Sequence, residues 1–170
     1  IIVIYDITKR GCLCLRILVL SDSHKKQYNL FAAIEAEPTA EVVYFLGDGS
    51  NEFEEAVFKY SHEKAFIGVR GNCDMYTSLP SIDIRTICDK KIMATHGYEQ
   101  NVKFGLYDLQ LDAVSNKCDI VLFGHTHTPL SLYKDGIYYF NPGALKDGCY
   151  GVIDITDSGV ICIDKKLNIY

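Results

Sequence analysis

The sequence has no unbroken apolar run of the ~18 residues that a membrane-spanning helix needs. Ile1 to Tyr5 stops at Asp6, and the run from Cys12 to Leu20 is broken by Arg16. The start carries neither the basic n-region nor the small-residue cleavage site of a secretory signal. Proline is scarce, at four in 170 residues, and no low-complexity tract or self-similar period interrupts the chain, so there is no sign of a linker or a repeat array. Positive charge is also in short supply: 17 Lys and Arg against 22 Asp and Glu leave a formal charge of −5. That balance argues against a surface that grips long polyanions, which relies on many Lys and Arg contacts. A small phosphate ester remains admissible, because bound divalent ions can make a pocket cationic inside an acidic protein. Seven cysteines, odd in number and without a CxxC pair, read as reduced thiols rather than a disulfide framework. The expectation is a soluble, cytoplasmic protein with no membrane partner.

What is present fits one domain over residues 1–170, with an apolar fraction of 48% that suffices for a proper core. Residues 1–15 are set apart. The chain begins without Met, and Arg16 to Leu20 reads as the first strand, so residues 1–15 are expected to be an N-terminal extension. From there apolar runs of strand length alternate with helical periodicity, the pattern of stacked βαβ units. Strands are expected at Arg16–Leu20, Glu41–Leu46, Ala65–Val69 and Asp119–Phe123, and a hairpin over Ile82–Cys88 and Lys91–Thr95. Helices are expected at Tyr28–Glu37, Asn51–Tyr60 and Phe104–Ser115. After Pro129 the runs shorten and alternate around Asp135-Gly136, Pro142-Gly143 and Asp157-Ser158-Gly159, which signals antiparallel hairpins. They are expected to form a second sheet packed on the first.

Five strands each end in residues able to bind a metal: Asp22 and His24, Asp48, Asn72, His96, then His125 and His127. In an open α/β sheet ligands bind beyond the carboxyl ends of the strands, so all seven side chains are expected on one rim. Two carboxylates, an amide and four imidazoles, without thiolate, suit Mn, Fe, Zn or related divalent ions. Seven ligands are too many for one tetrahedral ion and suit two ions sharing a carboxylate.

The blocks Asp22-Ser-His24, Gly47-Asp48, Gly71-Asn72-Cys73-Asp74, His96-Gly97 and Gly124-His-Thr-His127 resemble, in this order, the calcineurin-like metallophosphoesterases, and most of all their small bacterial and archaeal phosphodiesterases. The resemblance covers about residues 16–165. It implies an α/β fold, a four-layer αββα sandwich of two mixed sheets flanked by helices. It also implies two divalent metal ions, Mn2+ foremost with Ni2+, Fe2+, Zn2+ or Mg2+ as others. Asp22, His24 and His127 would hold the first ion and Asn72, His96 and His125 the second, with Asp48 bridging. The implied activity is dinuclear metal-dependent hydrolysis of small phosphate diesters. A hydroxide bridging the two ions attacks phosphorus in line, and Asn72 and His125 serve as catalytic as well as metal residues.

Cys73 stands where many members have a histidine that faces the phosphate and protonates the leaving group. It is therefore a catalytic candidate, but a weak proton donor. Asp74 reads as a turn former, with orienting a ligand as the alternative; Lys25, where small phosphodiesterases often have Gly, as solvent-facing rather than reaching the phosphate; Asn141-Pro142-Gly143 as a turn whose Asn141 either contacts the site or merely makes the turn; and His62 as solvated. Alternatives within the fold are a non-catalytic scaffold such as the retromer subunit Vps29, a phosphomonoesterase or a nuclease. The scaffold reading is disfavoured because no ligand is missing, and the nuclease reading by the acidic balance. The expected partner is a small phosphate ester, not nucleic acid. The resemblance further implies a homodimer or larger assembly.

Overall fold

The computed structural model describes residues 14–168; most of the proposed N-terminal extension lies outside the described residues. The strands are β1 (Cys14–Leu20), β2 (Val42–Phe45), β3 (Ala65–Gly68), β4 (Ile82–Ile87), β5 (Lys90–Thr95), β6 (Ile120–Leu122), β7 (Leu130–Lys134), β8 (Ile137–Asn141), β9 (Cys149–Thr156) and β10 (Gly159–Lys166). The helices are α1 (Gln27–Ala36), α2 (Ser50–Tyr60) and α3 (Tyr107–Ser115). Two five-stranded sheets result, ordered β10-β9-β1-β2-β3 and β4-β5-β6-β8-β7. Both are mixed: β1, β2 and β3 run parallel while β9 and β10 are antiparallel, and β5, β6 and β8 run parallel between antiparallel β4 and β7.

The near-continuous apolar runs are those of strands covered on both faces, and successive side chains divide the core into three layers. Ile17 and Val19 of β1, Tyr44 of β2, Ala94 of β5 and Leu122 of β6 meet between the sheets. Leu18, Leu20, Val43 and Phe45 face the other way, onto Leu30, Ala33 and Ile34 of α1 and Phe53 and Ala56 of α2. Met93, Val121 and Phe123 pack beneath Leu109 and Ala113 of α3. The order is helices, sheet, sheet, helix, the expected αββα sandwich. Each fully buried aliphatic or aromatic side chain contributes ~1.5–3 kcal/mol.

The C-terminal third departs from the sequence expectation. Its strands do not make a separate antiparallel sheet. The β7–β8 hairpin completes the second sheet, where β8 lies parallel to β6, and the β9–β10 hairpin completes the first, where β9 lies antiparallel to β1. Turn signals specified both hairpins correctly, but hairpin chemistry is local and does not choose the sheet a hairpin joins. The third helix begins at Tyr107, after Gly105, whose φ is +143°. Cysteines 14, 73, 118, 149 and 162 are free thiols as expected; Cys88 is instead disulfide-bonded.

Candidate metal centre

The loops that leave β1, β2, β3, β5 and β6 converge on one end of the sandwich. They are stitched to one another by backbone bonds: Asp22 N–H to the Gly47 carbonyl at 2.9 Å, His24 N–H to that of Asp48 at 3.0 Å, and Gly124 N–H to that of His96 at 3.1 Å. The approach is so close that a Cβ on Gly71 would lie 2.1 Å from Asp48 Oδ1, and one on Gly47 would lie 2.4 Å from the Gly71 nitrogen. Only glycine fits either place. Asp22, His24, Asp48, His125 and His127 all have φ between 42° and 67°. Left-handed backbone costs a non-glycine residue roughly 1–3 kcal/mol and persists only where its surroundings impose it.

Two poles form. At one, His24 Nε2 and His127 Nε2 are 3.3 Å apart and lie 3.7 and 3.1 Å from Asp22 Oδ1. That oxygen is fully buried and accepts no hydrogen bond. Its partner Oδ2 is satisfied by the Ser21 hydroxyl at 2.6 Å and the His125 N–H at 3.1 Å. An orphaned buried carboxylate oxygen costs several kcal/mol unless a cation meets it.

At the other pole, His96 Nδ1 lies 2.6 Å from the Leu46 carbonyl. Only an N–H satisfies a carbonyl there, so Nδ1 carries a proton and Nε2 is the ring atom turned to the site. That nitrogen faces Asn72 Oδ1 at 3.1 Å, His125 Nδ1 at 3.1 Å and Asp48 Oδ2 at 3.5 Å. Two imidazole nitrogens, an amide oxygen and a carboxylate oxygen converge there, the atom types of a divalent metal site. Asp48 Oδ2 also lies 3.8 Å from His24 Nε2, and so stands between the poles. All seven sequence-predicted ligands are thus brought together. The oxygen and nitrogen donors of both poles fit divalent metal ions.

The charges couple. Burial works to raise the Asp48 carboxyl, but hydrogen bonds from His96 and Cys73 hold it well below the ordinary carboxylate range. Burial works to lower His96, and Asp48, Asp22 and the Leu46 carbonyl more than reverse it, so its pKa is raised. His125 goes the other way: burial and the neighbouring positive His96 and Lys103 bring it down to about 4. Cys73 is exposed to solvent, yet its sulfur belongs with His24 and Asp48 to a group of ligand atoms within 4.8 Å of one another. Partial burial of the sulfur and the carboxylate of Asp48 push the thiol up to about 11.

Three residues support the donors from behind: Glu52 was missed from the sequence, the orienting role of Asp74 was there only the second reading, and a site role for Asn141 stood level with a plain turn. Asp74, read as a turn former, accepts four backbone N–H groups: Asp48 and Gly71 on one oxygen at 2.7 and 2.8 Å, Gly49 and Ser50 on the other, both at 2.9 Å. Glu52, in the first turn of α2, accepts the Lys25 N–H at 2.6 Å and the Ser23 hydroxyl at 2.9 Å, bracketing His24. Asn141 does make the expected turn, accepting Gly143 N–H, and its amide also donates to the Gly124 carbonyl at 2.9 Å, fixing the loop of His125. An acid near a helix start was visible for Glu52; what it reaches across the fold was not. The Lys25 side chain is exposed as expected, and His62 pairs with Glu63 at the surface.

Among known proteins, the phosphodiesterase MJ0936 of Methanocaldococcus jannaschii is 27% identical over 168 residues, spanning 89% of this chain and 95% of its own. The crystal structure of a conserved protein of Streptococcus pneumoniae superposes with a TM-score of 0.77 at 24% identity over 90% of each chain. That of zinc-complexed Vps29 from Entamoeba histolytica superposes with a TM-score of 0.67 at 18% identity, over 91% of this chain and all of the other. At those identities the two structures share the fold. The family model for the calcineurin-like phosphoesterase superfamily domain matches residues 15–158, a span that contains every donor of both poles, and the chain belongs to that superfamily.

Proposed function

We propose that this chain is a dinuclear metal-dependent phosphodiesterase acting on small phosphate diesters. The observation that carries the reading is the convergence of His96 Nε2 with Asn72 Oδ1, His125 Nδ1 and Asp48 Oδ2, beside the orphaned Asp22 Oδ1 of the other pole. The protein has assembled negative potential that only cations complete. Two divalent ions, when bound, supply a water of lowered pKa and neutralise charge on the phosphoryl oxygens. Oxygen and nitrogen donors suit Mn2+, with Fe2+, Ni2+, Zn2+ and Mg2+ as competitors.

The chain's own residues do the rest. Asp48 keeps the poles at a fixed separation, and Asp74 and Glu52 hold the loops that carry Asp48 and His24. Asn72 and Cys73 stand at the solvent side, where the ester arrives. With its thiol up at about 11, Cys73 is protonated at neutral pH and able to donate a weak hydrogen bond to a leaving oxygen. Substrates with good leaving groups are therefore favoured. Metal content alone does not separate catalysis from scaffolding, since a Vps29 structure of this fold is a zinc complex.

The deciding experiment is hydrolysis of bis-p-nitrophenyl phosphate beside p-nitrophenyl phosphate, on chelator-treated protein with Mn2+, Ni2+, Zn2+ or Mg2+ restored. Diester turnover that returns with a transition metal supports the proposal. Turnover of the monoester alone makes the protein a phosphomonoesterase, and turnover of neither makes it a scaffold.

A further inference from the structure

Two cavities open on the metal rim and share a wall. The larger, about 370 Å³, is bounded by Asn72 and His96 and, farther out, by Tyr98 and Arg70. The smaller, about 190 Å³, is bounded by His24 and Asp48, with Lys25 and Cys73. Asp74 and Met75 line both and so make the shared wall; Met75 is 78% exposed. A diester held at the metal ligands has tetrahedral phosphorus, so its two ester arms diverge, one to each side of that wall.

Resting on the phosphodiesterase reading, we propose that the larger cavity is a subsite for a planar aromatic ester arm lying against Tyr98, while the smaller takes a compact arm. The substrate class is then an asymmetric diester with one aryl or nucleobase-like group.

Tyr98 is placed for this by the chain. Gly97, at φ +95°, turns the backbone from buried His96 to the rim, and Val102 packs so tightly under it that a Cβ there would lie 2.8 Å from a Val102 methyl. The Tyr98 ring then meets the His125 ring edge-on, centroids 5.4 Å apart at 83°, while staying 56% exposed. An aromatic ring fixed on one side and open on the other is a stacking platform, sequence-tolerant because any planar ring can use it.

Size and charge agree. The larger cavity falls within the roughly 300–1,000 Å³ of small-molecule sites and the smaller falls below it. Of the charged groups around the larger one, Arg70 faces Glu99 at 3.8 Å, and the Asp74 carboxylate is saturated by amides. Little net positive charge remains to hold a second phosphate, whereas a neutral ring suits the Tyr98 face and the flat Arg70 guanidinium.

The test is calorimetric binding of phenylphosphonate and methylphosphonate to the metal-loaded full chain, with Tyr98→Ala, Tyr98→Leu and Tyr98→Phe. The wild type should bind the phenyl compound about tenfold more tightly than the methyl compound, the preference one aromatic face provides. Tyr98→Ala and Tyr98→Leu should bring that ratio close to one, and Tyr98→Phe should keep it. No preference in the wild type, or a preference unchanged by Tyr98→Ala and Tyr98→Leu, overturns the subsite. Turnover of no diester overturns the phosphodiesterase reading instead, and is seen separately because the binding ratio needs no turnover.

Discussion

Asp74 takes the amide hydrogen of Asp48 at 2.7 Å, so the residue standing between the two poles is held from behind by a second carboxylate. Three more amides end on Asp74, and each hydrogen bond to a charged acceptor contributes about 1.5–3 kcal/mol. Asp74→Ala should cost about 3 kcal/mol or more and weaken metal binding 10- to 100-fold, as loss of a ligand's supporting partner does. Denaturant unfolding and metal titration measure the two effects.

Glu52 plays the corresponding part for His24, and its carboxylate's hydrogen bonds among the described residues go to the loop after β1. Glu52→Ala should weaken one ion about tenfold and leave the other close to wild type. Equal weakening of both in stepwise titration would contradict that division.

Asp48→Ala removes the oxygen that faces both His24 and His96. Loss of several kcal/mol of transition-state stabilisation should lower diester turnover about a thousandfold at saturating metal. Steady-state kinetics read it, and retained activity would rule out a shared carboxylate.

Away from the site, Asp154 forms a two-pronged pair with Arg16, both contacts at 2.8 Å. The Arg16 hydrogen bonds, against the cost of burial and with help from Lys165, lower the Asp154 pKa. A carboxyl depressed in the folded state contributes stability that is complete above its unfolded pKa of about 3.9 and is lost as pH falls through the folded value. Wild type should therefore lose stability below about pH 4 more steeply than Asp154→Asn, in denaturant titrations between pH 6 and pH 2.5.

Cys73→Ser should lower turnover while leaving metal content unchanged, since the seven oxygen and nitrogen donors remain; loss of metal would make the sulfur a ligand. In the metal-free chain the thiol, pushed up to about 11, should be alkylated slowly at neutral pH. The rate should rise about tenfold per pH unit toward that value. Peptide mass spectrometry resolves Cys73 from exposed Cys14.

The donors were legible because each combines a strand ending with a ligand-type side chain, both local properties. Asp22 and His127 are 105 positions apart, yet alternating apolar runs suffice to put both at carboxyl ends of strands. Illegible were relationships that depend on which strand lies beside which. Nothing in Leu130–Lys166 distinguishes a hairpin that extends β1 from one that extends β6. Asp74 and Glu52 likewise look like ordinary turn and helix-start acids until the loops they hold are brought alongside. Tyr98 was legible only as the start of a loop, residues 98–103, that walls the pocket, because an exposed tyrosine after His-Gly has no periodicity to fix where its ring lies.

The left-handed backbone of Asp22, His24, Asp48, His125 and His127 sets the protein's persistence against its chemistry. At each position glycine or asparagine would relax the chain while deleting or altering a donor. A population selected only for remaining folded would drift toward those residues and become more heat-resistant as it lost its ions. This chain instead carries aspartate or histidine at all five, so it keeps the donor at the expense of the backbone.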